Sequence, residues 1–413
     1  MAAPVTHARG AVTKFALLAA AACIAWKVIT VGLADLYRVN DAASASKLDS
    51  GDAAAALALA RLAADERPDL RAQAREVVRG VLAKRPADGR LFRALAWLDP
   101  DDPALTGRRW RAAAQLRPAD VEALAWLADD AIARGDFATA LNHCDALLRV
   151  SPGQARNLFP ILAQWLQTDA RAAELARTLE RRPPWRRSFA EYVGRKGPEK
   201  SLYPFVDIVM TLRHGAAPVD ENEARDLVNR LVHGGDFERA YLLWRSVMPP
   251  LRASTSMLHN GALEMPPSGT AFDWTLRSTP GVVVAVEHGG VAHGNVLRLR
   301  FGGARVVEIG VAQTLLLPPG GYRVLGQVRS QDFRSTGGLE WRVYCLTKPS
   351  RLIAAVPVAR ERERDWSDFA LDLEVPDDEC PAQLLQLAAD ARGATGQVFS
   401  GAVWFDNFRI EAQ

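Results

Sequence analysis

The side chains best able to do chemistry in this chain are few and poorly grouped. His288-Gly289-Gly290 has the form of an oxyanion loop. No Gly-x-Ser-x-Gly elbow supplies a nucleophile, however, so the expected structure is a turn. His288 and His293 are spaced for neither a helical metal pair nor one strand face. Asp129-Asp130 and Asp377-Asp378-Glu379 read as solvated acids. A glycosidase needs two carboxylates across a cleft, and none can be paired from the sequence. P-loop, HExxH and dinucleotide-binding signatures are absent. The expectation is a chain that is not an enzyme.

The composition is that of an ordinary globular protein: 413 residues, 49% hydrophobic and 24% charged, enough for two or three domains. Of the 51 basic residues 44 are Arg and 7 Lys, against 48 acids, a net charge of +3. The arginines are spread along the chain and form no basic patch, which argues against nucleic acid as a partner. Four cysteines without a CxxC pair exclude a zinc ribbon. Cys345 and Cys380 are the only two after residue 252. In an oxidising compartment they could form a disulfide, and two separate packed thiols are the alternative.

At the N-terminus a short basic stretch (His7, Arg9, Lys14) precedes Phe15 to Ala34, where Lys27 is the one charge. Twenty helical residues reach about 30 Å, one hydrocarbon thickness. The expectation is an N-terminal transmembrane helix within residues 1–40, single-pass in a bacterial inner membrane, with the bulk in the periplasm. A cleaved signal peptide, lipidation at Cys23 and a buried helix are the alternatives.

From about residue 41 to 251 the chain is rich in Ala, Leu and Arg and repeats itself. Gly51-Asp52, Gly135-Asp136 and Gly235-Asp236 each have Ala five residues after the Gly. Gly permits a tight turn, Asp caps the next helix, and Ala lets helices approach closely. Residues 121–152, with Leu124, Leu127, Ala128, Phe137, Ala140, Cys144, Leu147 and Pro152, resemble a tetratricopeptide repeat. The resemblance implies a helical solenoid whose concave face holds a protein partner. Cys144, Trp126, Trp165 and Trp244 are expected simply to pack.

Past residue 252 the period changes to two. Alternating runs such as Val296–Phe301, Tyr322–Val328 and Leu339–Leu346, separated by turns like Pro318-Pro319-Gly320-Gly321, predict a two-sheet sandwich over 252–413. Leu258-His259-Asn260-Gly261-Ala262-Leu263-Glu264, Phe272-Asp273-Trp274, Asp365-Trp366 and the closing Val403-Trp404-Phe405-Asp406-Asn407-Phe408 resemble a galactose-binding-like jelly roll, the fold of many carbohydrate-binding modules. That resemblance implies a structural calcium near Glu264 and Asp406, in competition with backbone hydrogen bonds to the same acids. It also implies a polysaccharide ligand on exposed aromatics, for which Trp341, Phe333 and Arg342 are the candidates. Trp366 and Trp404 are expected in the core. The combined expectation is a membrane-anchored periplasmic adaptor in surface-polysaccharide synthesis or export. A carbohydrate-active enzyme with its catalytic residues in 156–250 and a structural subunit of an envelope secretion complex are the alternatives.

Overall fold

The computed structural model describes residues 24–30, 44, 51–213, 215, 217–248, 256–290, 293–335, 337–347, 349–358, 365–389 and 397–413. It corrects the expected membrane span. Of Phe15 to Ala34, residues 24–30 are described, and they are helical. No helix among the described residues is long and apolar enough to cross a membrane. With the span go the single-pass inner-membrane location, the periplasmic placement of the bulk and the membrane as a partner. Residues 15–23 and 31–34, Cys23 among them, lie outside the described residues.

An α-helical N-terminal region is followed by a β-sandwich, and the chain divides into two compact units, 1–154 and 155–413. In the first, α1 (Ala53–Asp65), α2 (Arg71–Lys84), α3 (Gly89–Leu98), α4 (Pro103–Leu116), α5 (Val121–Ala133) and α6 (Phe137–Val150) pack in consecutive pairs. Asp52, Asp88, Asp102, Asp120 and Asp136 each accept a backbone N–H from the helix they precede, and so set where five of these helices begin. Gly135, at φ +75°, supplies the left-handed turn between α5 and α6. Small side chains close the core: Ala56, Ala60, Ala74 and Ala94 are fully buried beside Leu59, Val78 and Leu91. This array is consistent with a solenoid. Polar bonds link its layers. Trp97 of α3 donates its Nε1–H to Glu122 of α5 at 3.0 Å, between the guanidinium groups of Arg61 and Arg93, 4.9 and 5.1 Å from its ring. Cys144 is buried, and burial pushes its thiol up to about 12, so it is inert.

The second unit starts with α7 (Ala155–Trp165), α8 (Asp169–Glu180), α9 (Arg186–Arg195), α10 (Glu199–Leu212), α11 (Glu221–Gly234) and α12 (Phe237–Val247). Arg186 is the anchor of α9. Its Nε and Nη2 donate to the two carboxylate oxygens of Glu223 at 2.8 Å each. Its remaining N–H groups reach the carbonyls of Leu179, Ala217 and Pro218. All five donors are satisfied in a site where Arg186 and Glu223 are almost wholly buried. Glu223 also closes a capping box with Asp220 at the start of α11.

The sandwich has ten strands: β1 (Thr275–Arg277), β2 (Val282–Gly290), β3 (Gly294–Val306), β4 (Gly310–Leu315), β5 (Gly320–Ser335), β6 (Leu339–Cys345), β7 (Arg351–Val358), β8 (Ser367–Val375), β9 (Gln383–Ala389) and β10 (Gln397–Ala412). They form two antiparallel sheets, ordered β1-β4-β9-β6-β7 and β2-β3-β10-β5-β8. His288-Gly289-Gly290, expected as a turn, ends β2 instead, with His288 opposite Asn295 and Gly290 opposite Gly294. Strand β7 escapes sequence reading because Ala354, Ala355 and Pro357 are weak strand formers. Proline is tolerated there because β7 is an edge. The sandwich has its own apolar core, and α12 packs on its opening segment: Trp244 meets His259 edge-on at 5.1 Å and Phe272 at 5.5 Å. Asn229 of α11 accepts the Ala271 N–H at 2.9 Å.

Glu223→Gln removes the charge that compensates a buried guanidinium. It is expected to cost about 3–5 kcal/mol, read from the urea unfolding midpoint. An unchanged midpoint would show that the pair is not the anchor of α9.

Candidate functional site

Strand β6 divides its side chains cleanly. Leu339, Trp341, Val343 and Cys345 point inward and are fully buried, while Glu340, Arg342 and Tyr344 point outward. Trp341 is 0% exposed and packs on Trp274, Phe405 and Phe408 at ring distances of 6.0, 5.4 and 5.1 Å. Phe333, 1% exposed, packs on Phe301 and Phe399 at 5.9 and 6.1 Å. Neither can touch a ligand. The two aromatics expected to bind sugar are core, because the space between the sheets takes the larger rings of each strand. Of the three candidates only Arg342 faces outward.

Arg342 stands in a polar cluster. Its Nε donates to Glu340 Oε2 at 3.0 Å, Nη1 to the Tyr344 hydroxyl at 3.5 Å and Nη2 to the Ala389 carbonyl at 3.3 Å. Burial opposes the charge, but the bonds to Tyr344 and Glu340 outweigh it and hold the guanidinium above its ordinary value. The side chains of Arg342 and Glu340 are only 21% and 15% exposed. Polar groups on the solvent face of a sheet yet so largely covered are cupped by their neighbours. Across the ladder, Gln386 of β9 is opposite Arg342, and Leu384 is opposite Tyr344. The half-buried Gln386 has no hydrogen-bond partner for its amide among the described residues. At the end of β6, Cys345 is disulfide-bonded to Cys380, 35 residues on, with a Cα–Cα distance of 5.0 Å.

The second place is the end of the sandwich where opening and closing segments meet. Glu264 Oε1 accepts the Asn295 backbone N–H at 3.0 Å. Asp406 Oδ1 accepts the Asn407 N–H at 2.6 Å, and its Oδ2 is 3.1 Å from His293 Nδ1. The His293 ring stacks on Trp366 at 4.3 Å. Burial raises the Asp406 carboxyl against the lowering effect of Asn407 and His293, and the nearby charge of Glu264 adds to the rise. Protein donors thus engage one oxygen of Glu264 and both of Asp406. No group of three or more His, Cys, Asp or Glu that could hold a metal occurs among the described residues. Trp366 and Trp404, expected in the core, are half-buried instead.

The cluster on β6 and β9 offers a planar cation, a carboxylate, a phenol and an amide side by side. Such groups hydrogen-bond hydroxyls, and nothing among them forms a nucleophile–base pair. The two-residue period of β6 puts Arg342 and Tyr344 on one face. Gln386 and Leu384 became neighbours only once β9 was paired with β6, and residues in β9 carry no signal of which strand they adjoin.

No family model matches the chain, and no curated protein matches it. Among solved structures it is similar to a CBM4 module (14% identity over 38% of this chain and 99% of that one, TM-score 0.30). It is also similar to the CBM22-1 xylan-binding domain from Paenibacillus barcinonensis (16%, over 34% and 85%, TM-score 0.25). A third is TmCBM61 in complex with β-1,4-galactotriose (16%, over 39% and 100%, TM-score 0.24). The C-terminal β-sandwich resembles carbohydrate-binding-module and jelly-roll folds, a likeness of fold only.

Trp341→Ala should cost about 3–5 kcal/mol in denaturant unfolding, and Arg342→Ala about 1 kcal/mol, since the former empties a core site and the latter loosens a surface cluster. The reverse order would contradict the faces assigned to β6.

Proposed function

We propose that the protein is a non-catalytic binding protein whose sandwich holds a saccharide on the outer face of β6 and β9. The observation that carries this is the free amide of Gln386 beside the held guanidinium of Arg342. Arg342, already held by the fold, binds with little further ordering cost, and a pyranose presents hydroxyls for it and for the open amide. Tyr344, with Leu384 opposite, adds apolar surface for the carbon side of a sugar ring. The helical array of residues 51–154 is read as a tetratricopeptide-like solenoid that holds a protein partner. Its exposed polar layer around Arg61, Trp97 and Glu122 is the surface for that partner.

The test is binding of the full chain to a glycan array, followed by titration calorimetry on the best oligosaccharide. Arg342→Ala and Gln386→Ala are each expected to weaken it about 10- to 100-fold with folding intact. Unchanged affinity in both would place the site elsewhere, and turnover of the oligosaccharide would remove the non-catalytic reading.

A calcium held by Glu264 and Asp406 belongs to the same proposal. The support is chemical: two hard carboxylates from the opening and closing segments of the sandwich, close enough that the charge of Glu264 disfavours that of Asp406. Added calcium should raise the thermal midpoint of the wild type and not of Asp406→Asn. Equal midpoints with calcium and with chelator would drop the ion from the account.

A further inference from the structure

The other outer face of the sandwich is built differently. On the β2-β3-β10-β5-β8 sheet, Trp404 points outward at the centre, with Arg298 of β3 and Arg329 of β5 as its cross-strand neighbours. In the adjoining row Ala402 lies between Arg300 and Gln331. The indole is fixed in place: its Nε1–H donates to Glu287 Oε1 at 2.8 Å, and Glu287 Oε2 pairs with Arg298 Nη1 at 2.6 Å. The Arg329 guanidinium lies over the ring, 5.0 Å from its centroid.

An arginine laid on an aromatic face is held flat and keeps its fork of N–H donors for a partner in the same plane. No such partner is present among the described residues. Arg329 and Arg300 have no carboxylate within ion-pair distance among the described residues, and the Nε atoms of Arg298 and Arg329 are both buried without an acceptor. These two Nε–H groups are covered by neighbouring atoms, so the terminal N–H groups of the two forks are the donors that an oxyanion would meet. The short Ala402 side chain leaves a dip between Arg300 and Gln331 where a substituent can sit.

We propose that this face binds a carboxylate-bearing polysaccharide, with Arg329, Arg300 and Arg298 as the anion-binding residues and Trp404 as the residue that positions Arg329. A carboxylate accepts the two parallel N–H groups of a guanidinium fork side by side. Arg298 and Arg329 are two strands apart, about 10 Å, roughly the length of two sugar rings. A polymer with acidic sugars at intervals can therefore engage both. The inference rests on the reading of this sandwich as a glycan-binding module but uses the opposite sheet.

The experiment is affinity electrophoresis of the full chain in gels containing polygalacturonate, its methyl ester, neutral galactan, dextran sulfate or poly-glutamate. Polygalacturonate is expected to retard the wild type. Methyl esterification, Arg300→Gln and Arg329→Gln should each weaken retardation about tenfold, the loss of one charge-assisted pair. Arg329→Lys should weaken it as well, because a lysine keeps the charge without the flat fork. The circular dichroism spectra of all variants should match the wild type. Equal retardation by dextran sulfate or poly-glutamate would overturn the proposal in favour of a general polyanion surface. Binding of neutral galactan that needs Arg342, with no retardation by polygalacturonate, would overturn it while leaving the proposed function standing. Retardation by none of the polymers, joined to no binding on a glycan array, would remove both.

Discussion

The burial of Trp341 is the constraint on which the rest of the sandwich depends. Its ring meets Trp274 from the opening segment and Phe405 and Phe408 from the closing strand, so one side chain joins the first, middle and last parts of the fold. With Trp341 inside, the two-residue period leaves no freedom for its neighbours: Glu340, Arg342 and Tyr344 must face out. A slip of one residue in β6 would bury an arginine and a carboxylate between the sheets and expose a tryptophan, a loss of many kcal/mol by any reckoning of polar burial. The disulfide from Cys345 to Cys380 pins the end of the same strand. On the chain-entropy model a closed loop of that length restricts the unfolded state by about 4 kcal/mol. The outer face of β6 is thus a by-product of its inner one.

The two outer faces of the sandwich then differ in charge logic. On β6 and β9 the arginine is held within the protein by Glu340, Tyr344 and a carbonyl, which leaves its remaining N–H groups, a neutral amide and a phenol as the open groups. On β3, β10 and β5 the arginines outnumber their carboxylate, and one of them lies over the Trp404 ring. The helices follow a simpler rule. Aspartates cap them and alanines let them close up. The cross-helix bonds of Trp97, Arg93 and Arg186 keep buried or half-buried charges satisfied.

Much of this was legible in the residues. Gly-Asp pairs followed by alanine marked helix starts at Asp52, Asp136 and Asp236, because Asp has one strong use there: accepting the N–H groups that a first turn leaves free. Alternation marked the long strands. What alternation lacks is a sign: it separates Trp341 from Arg342 without saying which is inside, and an exposed tryptophan is as regular as a buried one. The choice is made by Trp274, 67 positions earlier, and by Phe405 and Phe408, more than 60 later. Trp404 misled in the opposite direction, for in a run of alternating aromatics it occupies the outward step. The apolar stretch from Phe15 had the length of a span in sequence, yet no helix among the described residues is long and apolar enough to be one.

The central claim is that a saccharide sits on the outer face of β6 and β9 without being transformed. Hydrogen exchange of the full chain, with and without the tightest oligosaccharide from an array, addresses it directly. The account predicts slowed exchange across residues 339–345 and 383–389 and an oligosaccharide recovered intact. Binding that leaves both strands unchanged, or a cleaved sugar, would contradict it.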